Sequence, residues 1–414
     1  PVWDKLIEMY NAVYALCEDG KVLSASVVKE GGTAASVCKA CFGNGFGFKF
    51  ANELTNDELF APLSGSLVIE LADGAELSND VLHYDLGTVT NDAKITVNGK
   101  EIELSALLEK WTAPLEKVFP TKAEVPEIEV DVPLYSERNT SSPAIKVAKP
   151  TVFIPVFPGT NCEVDTARAF EKAGANVEML IVKNLSSNDI EETIDEMEKL
   201  IAKSQMIMLP GGFSGGDEPD GSGKFIATTF RNPRIAEQVN NLLKNRDGLM
   251  LGICNGFQAL IKLGLVPYGK ITGQTPDSPT LTYNTIGRHI SKMVYTKVVT
   301  NKSPWLAQAE LGATYCSPAS HGEGRFVASE EWIKKLYENG QIATRYVDAD
   351  GNVQLNDEEW NVNGSYYAIE GITSPDGRVL GKMAHAERRG DSVAINIFGE
   401  QDMKIFESGV AYFK

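Results

Sequence analysis

The chain has 414 residues, of which 43% are hydrophobic and 23% charged, and its net charge is −17 at pH 7. This composition is typical of a globular protein, and the length predicts two or three domains with separate cores. Nucleic-acid backbones are bound by clustered Lys and Arg, so the acidic balance argues against a nucleic-acid partner. No stretch of roughly 18 uncharged apolar residues predicts a membrane span, and the first residues do not resemble a signal peptide.

Six cysteines, at positions 17, 38, 41, 162, 254 and 316, are too sparse for a disulfide scaffold. This usage favours a reducing, cytoplasmic compartment. Cys38 and Cys41 form a single CxxC pair, but no second pair and no nearby His completes the four ligands of zinc. We therefore predict no metal site in the chain.

Residues 1–118 carry the signals of a smaller α+β domain. The segment 31–50 begins with the small residues of a tightly packed helix, and 65–71 is strand-like. Asn98-Gly99 between alternating apolar residues predicts a β-hairpin over 97–104. The glycines match no phosphate-binding spacing, so a phosphate loop is not favoured here.

Residues 119–150 have the composition of a linker. They contain five prolines, many charges and a Ser/Thr cluster, without a sustained helical period. The sequence therefore predicts a domain boundary at this segment.

From residue 151 onward, apolar strand-like segments alternate with amphipathic helices. The predicted strands cover 151–157, 176–183, 205–212 and 248–254, and the helices between them cover 162–174, 186–204 and 234–248. This alternation predicts an α/β fold, a doubly wound and mostly parallel sheet covered on both faces. Pro155 is expected to interrupt its ladder or to place its strand near an edge. Ligands of such sheets bind at the carboxyl ends of the strands.

Two strand ends carry candidate chemistry. The loop 209–223 contains six glycines, whose freedom at positive φ would let backbone N–H groups face a ligand. Gly252-Ile253-Cys254-Asn255-Gly256 joins a strand to a helix, as the thiol analogue of a G-x-S-x-G nucleophile elbow. The helix N-terminus behind Cys254 would favour a thiolate, while a core cysteine before a glycine turn remains the alternative.

A nucleophilic cysteine needs a base, and two histidines are candidates. His385 and His321 are each followed two residues later by a carboxylate, Glu387 and Glu323. The residues alone favour His385 modestly over His321. Of the other two histidines, His289 is interpreted as structural and His83 is given no role.

Five separated motifs occur in order along the second half of the chain. PVFPGTNCE, LPGGFSGGD, GICNGFQAL, SHGEGRF and HAER together resemble the glutaminase domain of the phosphoribosylformylglycinamidine synthase family, over roughly residues 150–414. Residues 1–118 more weakly resemble the end of the family's aminoimidazole ribonucleotide synthetase-like part. The resemblance implies a class I glutamine amidotransferase-like fold over 151–414. It also implies that the chain, which begins at Pro1, is the C-terminal third of a larger enzyme.

The resemblance also implies a role for each matched residue. Cys254 would attack glutamine, with His385 and Glu387 completing a triad. The oxyanion hole would come from backbone N–H groups of Gly212 or Phe213 and of Asn255. Glutamine would be held by Gln258, Ser320, His321, Gly322 and Glu323. This chain would need no cofactor. ATP and Mg²⁺ would serve the synthetase part, so the chain alone is expected to act as a glutaminase only, in purine biosynthesis.

Two positions depart from the family pattern. Ala386 stands where the family usually has Pro between the triad His and Glu, and Gly215 stands where an aromatic residue is common. Two other functions remain open on the same residues. One is a cysteine hydrolase or peptidase that uses the same triad on another amide, and the other is a catalytically silent glutamine-binding module.

Overall fold

The computed structural model describes residues 2–116, 134–139, 142–215, 223–390 and 393–414. Most of the predicted linker, and residues 216–222 of the predicted glycine-rich loop, lie outside the described residues. The chain divides into two compact units, Pro1–Lys117 and Val118–Lys414. Each unit is described by itself. No helix within the described ranges is both long and apolar enough to cross a bilayer.

The first unit is a mixed α+β structure. Its elements are α1 (Trp3–Glu18), β1 (Val22–Val27), α2 (Gly32–Asn44), β2 (Gly47–Phe50), α3 (Asn56–Phe60), β3 (Leu67–Leu71), β4 (Gly87–Thr90), β5 (Lys94–Val97), β6 (Lys100–Glu103) and α4 (Leu104–Glu116). Strands β1 and β3 pair antiparallel, and the other strands form a sheet in the order β4-β2-β5-β6. A small core packs between this sheet and the helices; its buried members are Val37, Cys41, Phe50, Leu59, Ile95 and Leu104.

The predicted hairpin is present in this unit. Strands β5 and β6 pair antiparallel, with Val97 opposite Lys100. Asn98 and Gly99 between them have φ values of 50° and 72°. Both lie in the left-handed region that a two-residue hairpin turn matching the strand twist requires. The Asn-Gly signal therefore predicted this turn correctly.

Within its described residues, the second unit contains eighteen labelled helices and strands, followed by a C-terminal helix, and two short 3₁₀ segments. They are β7 (Thr151–Val156), α5 (Glu163–Ala173), β8 (Asn176–Ile181), α6 (Ser187–Lys203), β9 (Met206–Leu209), α7 (Lys224–Phe230), α8 (Pro233–Asn245), β10 (Leu249–Ile253), α9 (Asn255–Leu263), α10 (Leu265–Tyr268), β11 (Thr280–Thr282), β12 (Ile290–Val298), β13 (Thr314–His321), β14 (Arg325–Val327), α11 (Glu330–Glu338), β15 (Ile342–Val347), β16 (Ile369–Thr373), β17 (Val379–Lys382) and finally α12 (Ile405–Tyr412); the 3₁₀ segments are Pro304–Leu306 and Tyr366–Ala368.

A nine-stranded sheet organises this unit, in the order β13-β12-β15-β16-β17-β10-β9-β7-β8. The five neighbouring strands β17, β10, β9, β7 and β8 pair parallel, which confirms the predicted α/β class. Strands β16, β15, β12 and β13 then extend the sheet antiparallel, which the sequence reasoning did not predict. Every residue of β9 and β10 is buried, as expected for strands covered on both faces.

Pro155 limits the pairing of its strand as expected. Strand β7 pairs with β8 along its whole length, up to Val156. Its pairing with β9 stops at Phe153, two residues before the proline. Because proline has no N–H to donate, it can sit here only where one side of the strand needs no further ladder bond. The ladder between β7 and β9 therefore ends before the carboxyl end of either strand.

Candidate active site

Cys254 stands on a strained turn between β10 and α9. Its φ of 53° and ψ of −108° lie outside the regions that residues with a side chain ordinarily adopt. The Cys254 N–H donates to the Lys382 carbonyl at 2.8 Å, which fixes the turn to β17. A Cβ on Gly252 or Gly256 would collide with backbone atoms, of α9 and of Leu209 respectively. The two glycines are thus required by close packing around the elbow.

His385 and Glu387 lie beside Cys254 at the end of β17. The His385 Nδ1–H donates to Glu387 Oε1 at 2.6 Å, and both side chains are buried. A Cβ on Gly211 would lie 2.6 Å from His385 Cε1 and 3.4 Å from Cys254 Cβ, so the imidazole and the cysteine flank one glycine. His385 Nε2 is buried and has no hydrogen-bond partner among the described residues. A proton donor is therefore held there without an acceptor.

The charges of this group reinforce one another. Burial opposes a charge on His385, but Glu387 and the Cys254 sulfur outweigh it and raise the pKa of His385 well above its usual value. Burial also opposes the charge on Glu387, yet the adjacent imidazole lowers the pKa of Glu387. The pair is therefore an imidazolium and a carboxylate near neutral pH.

The end of β13 forms a wall next to the thiol. The Cys254 thiol donates to the Ser320 carbonyl across 3.6 Å. The Ser320 hydroxyl lies 3.1 Å from Nε2 of His289, and the His289 ring lies 6.1 Å from that of Phe213. His289 therefore belongs to the rim of the site, although the sequence reasoning interpreted it as structural. The register that places Ile290 opposite His321 brings it there, and that register is not visible in the sequence.

His321 is buried in the same wall and is neutral. Burial, with the nearby His385 and His289, lowers the pKa of His321 to about 3. Its Nε2 accepts from the Asn363 amide at 3.1 Å, while its Nδ1 has no partner among the described residues. The Asn284 amide donates to the His321 carbonyl at 2.8 Å. The neutral His321 imidazole, which accepts from Asn363, lines this pocket, whereas the charged His385 imidazole contacts a carboxylate.

Gln258 connects the elbow helix to the same wall. Its Oε1 accepts from the Asn255 amide at 3.0 Å, and its Nε2 donates to the Glu323 carbonyl. Asn255 Oδ1 in turn accepts from Ser214 N–H at 3.3 Å. The predicted substrate contact Gln258 is therefore engaged within the protein, where it holds the stretch 320–323 against α9.

The predicted oxyanion donors differ in availability. Phe213 N–H already donates to the Gly159 carbonyl at 2.8 Å. Within the described residues, the N–H groups of Gly212 and Asn255 have no acceptor. Of the two alternatives named from the sequence, Gly212 is therefore the N–H that a ligand could use. Gly215, one of the two departures from the family pattern, has a φ of 75°, a conformation that would strain an aromatic residue there.

Several buried polar residues at the site had no role in the sequence reasoning. Lys382 and Glu370 form a buried ion pair with 3.2 Å between Nζ and Oε1, and Glu370 Oε1 also accepts from Met383 and Ala384 N–H. This pair fixes the backbone that leads to His385. Cys162, in the PGTNCE motif, is fully buried and lies 3.8 Å from His385 Nδ1. Lys382 and Glu370 are each a single polar side chain in an apolar segment, so the sequence does not indicate which residue either of them contacts.

One group among the described residues has the spacing of a metal site. The ligand atoms of Cys162, His385 and Glu387 lie within 4.8 Å of one another. Their sulfur and nitrogen do not suit Mg²⁺, which prefers oxygen ligands. The Arg388 guanidinium donates to the Cys162 sulfur at 2.9 Å and places a positive charge on the same group. The donor set thus does not fit the magnesium that the family resemblance implies for the synthetase part.

Comparisons with known proteins identify relatives of the second unit. The family model of the CobB/CobQ-like glutamine amidotransferase domain matches residues 149–413. The phosphoribosylformylglycinamidine synthase subunit PurQ of Methanococcus maripaludis strain C5 is 34% identical over 281 residues, covering 64% of this chain and 98% of that subunit. The PurQ subunit of Aquifex aeolicus is 33% identical over 240 residues, covering 58% and 90%. A solved PurLQS structure from Thermotoga maritima is 29% identical, with a TM-score of 0.46, and covers 64% of this chain and all of that one.

Proposed function

Because this chain belongs to the CobB/CobQ-like glutamine amidotransferase domain family, with PurQ subunits among its relatives, we propose that its second unit hydrolyses glutamine at Cys254. The chain is an amidotransferase that uses glutamine, and it has a glutaminase role in purine biosynthesis. The observation that carries the mechanism is the buried His385–Glu387 pair beside a cysteine on a strained elbow.

The first half-reaction forms a thioester. The Cys254 thiolate attacks the side-chain amide carbon of glutamine and gives a tetrahedral oxyanion. His385 Nε2–H, which has no partner in the described protein, donates its proton to the amide nitrogen, and ammonia leaves. Glu387 keeps the imidazole oriented through Nδ1 and stabilises its positive charge.

The second half-reaction returns the thiol. His385, now neutral, takes a proton from water, and the hydroxide attacks the thioester to release glutamate. The oxyanion that forms in both halves is bound by the Gly212 and Asn255 N–H groups, because the Phe213 N–H is already engaged. Asn255 N–H lies at the N-terminus of α9, where the helix dipole adds to the stabilisation.

The pocket wall supplies substrate binding. Ser320, His321, Gly322 and Glu323 hold the glutamine α-amino and carboxylate groups, and the neutral His321 can donate from Nδ1 without adding charge. Gln258 places this stretch and completes the pocket floor beside the thiol. A wall that combines a carboxyl group, Glu323, with the neutral His321 suits a zwitterionic amino acid, whose two charges need separate partners.

The ammonia is consumed by a synthetase. The PurQ relatives are named as subunits of phosphoribosylformylglycinamidine synthase, and ATP and Mg²⁺ would act at the site of that synthesis. Residues 1–118 would belong to a synthetase part, and the synthetase is the proposed partner of the second unit. We expect the 414 residues by themselves to act as a glutaminase and to form no amidine product with ATP.

A glutamine analogue that carries a chloroketone tests the nucleophile. We expect one adduct per chain, on the peptide that contains Cys254, detected by mass spectrometry. The Cys254→Ala variant should take no adduct and lose glutaminase activity by at least about 1,000-fold, because covalent catalysis is removed. The control is Cys316→Ala, which deletes another buried thiol and should behave as wild type. Unchanged glutamine turnover by Cys254→Ala would refute the proposal.

A further inference from the structure

The PGTNCE motif, residues 158–163, places a second cysteine against the triad. Cys162 precedes α5 and its side chain is completely buried. A Cβ added to Gly211 would lie 3.1 Å from the Cys162 sulfur and 2.6 Å from His385 Cε1. The sulfur and the imidazole therefore pack around the same glycine that separates His385 from Cys254. None of the steps above gives this cysteine a role.

Three polar groups surround the Cys162 sulfur. Its S–H donates to Asn161 Oδ1 at 3.1 Å, and it accepts from Arg388 Nη2 at 2.9 Å. The third group is His385, whose Nδ1 lies at 3.8 Å. A buried thiol with three polar neighbours differs from an ordinary core cysteine, which behaves as a small hydrophobic residue.

The sulfur lies on the Nδ1 edge of His385, away from the Nε2 that faces the reacting atoms. Glu387 accepts from that Nδ1 at 2.6 Å, so the carboxylate and the sulfur together bound one edge of the ring. The sulfur also contacts Arg388, the residue after Glu387, and so lies between two cationic side chains.

We propose that Cys162, held by Arg388, is a positioning residue that fixes the ring of His385 in the orientation needed for proton transfer at Nε2. The proposal rests on the glutaminase function proposed for the same site. Its physical basis is that a proton donor misplaced by about 1 Å can lose about 100-fold in rate. The Cys162 sulfur has no exposed surface and lies at the Nδ1 edge of His385 rather than at Nε2, so it is not placed to attack substrate.

The inference predicts a specific effect on pH dependence. The groups that face His385 are Glu387, Cys254, Cys162, the neutral His321 and, through the Cys162 sulfur, Arg388. The Cys162 contact helps to raise the pKa of His385. Loss of the sulfur should therefore move the alkaline limb of activity to lower pH, since the protonated imidazole is the leaving-group donor.

The test compares Cys162→Ala, Cys162→Ser and Cys316→Ala in the full chain. Glutaminase kcat and KM are measured from pH 6 to 10. We expect Cys162→Ala to lower kcat about tenfold with KM within about twofold, and to shift the alkaline limb of kcat to lower pH. Cys162→Ser keeps an acceptor for Arg388 and should recover most of the loss. Cys316→Ala, which removes an equally buried thiol, should match wild type.

The outcomes separate this inference from the function on which it rests. If wild type neither turns over glutamine nor reacts with the chloroketone analogue, the proposed function fails. If wild type does both, and Cys162→Ala has the same kcat and the same alkaline limb of kcat as Cys316→Ala, the positioning role alone is refuted. An equal loss of kcat in Cys162→Ser and Cys162→Ala, with the alkaline limb of kcat unshifted, would also refute it. The thiol would then serve packing only. Circular dichroism of each variant identifies any that fails to fold.

Discussion

One histidine of the site is charged and another is neutral, and the neighbours of each ring explain the difference. His385 Nδ1 meets the Glu387 carboxylate, which favours the imidazolium. His321 Nε2 instead meets the Asn363 amide, a donor that requires a neutral ring nitrogen as acceptor. Each histidine has a glutamate two residues later in the chain, so spacing alone cannot separate the two roles. Side-chain contacts at the residue scale assign the candidate base.

The neutral His321 should cost stability in acid. Its pKa of about 3 in the folded protein lies below the value of about 6.5 that it has when unfolded, so between those values the unfolded state binds more protons. The free energy of unfolding should therefore fall as pH decreases from 6.5 toward 3, by up to about 1.4 kcal/mol per pH unit from this residue.

The measurement is urea denaturation of wild type and His321→Asn at pH 4.5, 5.5, 6.5 and 7.5. We expect the difference in unfolding free energy between the two proteins to shrink as pH decreases, because the variant has no imidazole to protonate on unfolding. The control is His83→Asn, since His83 lies exposed in the other unit and should leave the slope unchanged. Parallel slopes for wild type and His321→Asn would contradict a buried neutral imidazole.

At the scale of elements, the site is a meeting of strand ends. The turn between β10 and α9 carries Cys254, the end of β17 leads into His385, and the end of β13 supplies the wall. These strands are distant in sequence, and the buried Glu370–Lys382 pair joins β16 to β17 just before the base. The antiparallel extension matters because it brings the 320–323 stretch to the carboxyl end of β10.

The elbow depends on a glycine that lets α9 lie against β9. A Cβ on Gly256 would overlap the Leu209 carbonyl, which is backbone and cannot move aside cheaply. We expect Gly256→Ala to destabilise the second unit by about 2 kcal/mol or more and to abolish Cys254 labelling. Gly273→Ala is a matched control, because a Cβ there meets nothing within 4 Å. Chemical denaturation gives the stability of each variant, and equal values would show that the close approach is not required.

At the scale of the whole molecule, two compact units have separate cores of different size. The buried core of the first unit has few members, whereas that of the second extends across both faces of the nine-stranded sheet. Burial of apolar surface is the main stabilising contribution to a fold, so the smaller core should be the less stable. The proposed chemistry lies wholly within the second unit.

We therefore expect the first unit to unfold at a lower denaturant concentration than the second. Ile95→Ala should destabilise the first unit and Leu251→Ala the second, each by about 2–5 kcal/mol, because both side chains are buried. Each variant should therefore lower the denaturant midpoint of its own unit's transition. Hydrogen exchange followed on peptides of each unit distinguishes the transitions. A single transition whose midpoint is shifted equally by both variants would contradict separate cores.

Local patterns alone predicted a large part of this protein. The Asn98-Gly99 turn requires positive φ values that few residue pairs adopt, and the apolar runs of β9 and β10 alternate with helical segments as in a buried parallel sheet. The glycines on either side of Cys254 predicted a close-packed elbow. Each of these features depends on interactions within a few residues, so the sequence carries them directly.

The tertiary structure decided what depends on contacts between distant residues. The amino-acid sequence by itself determined the α/β class, the elbow and two candidate bases. Only the side-chain contacts made where β13 and β17 end near Cys254 determined that His385 is charged and His321 neutral, and that His289 lies at the rim. Only the packing around Gly211 placed Cys162 against the base. The physical reason is that protonation and orientation depend on burial and on partners, and several of these partners lie between 42 and 223 residues away in the chain.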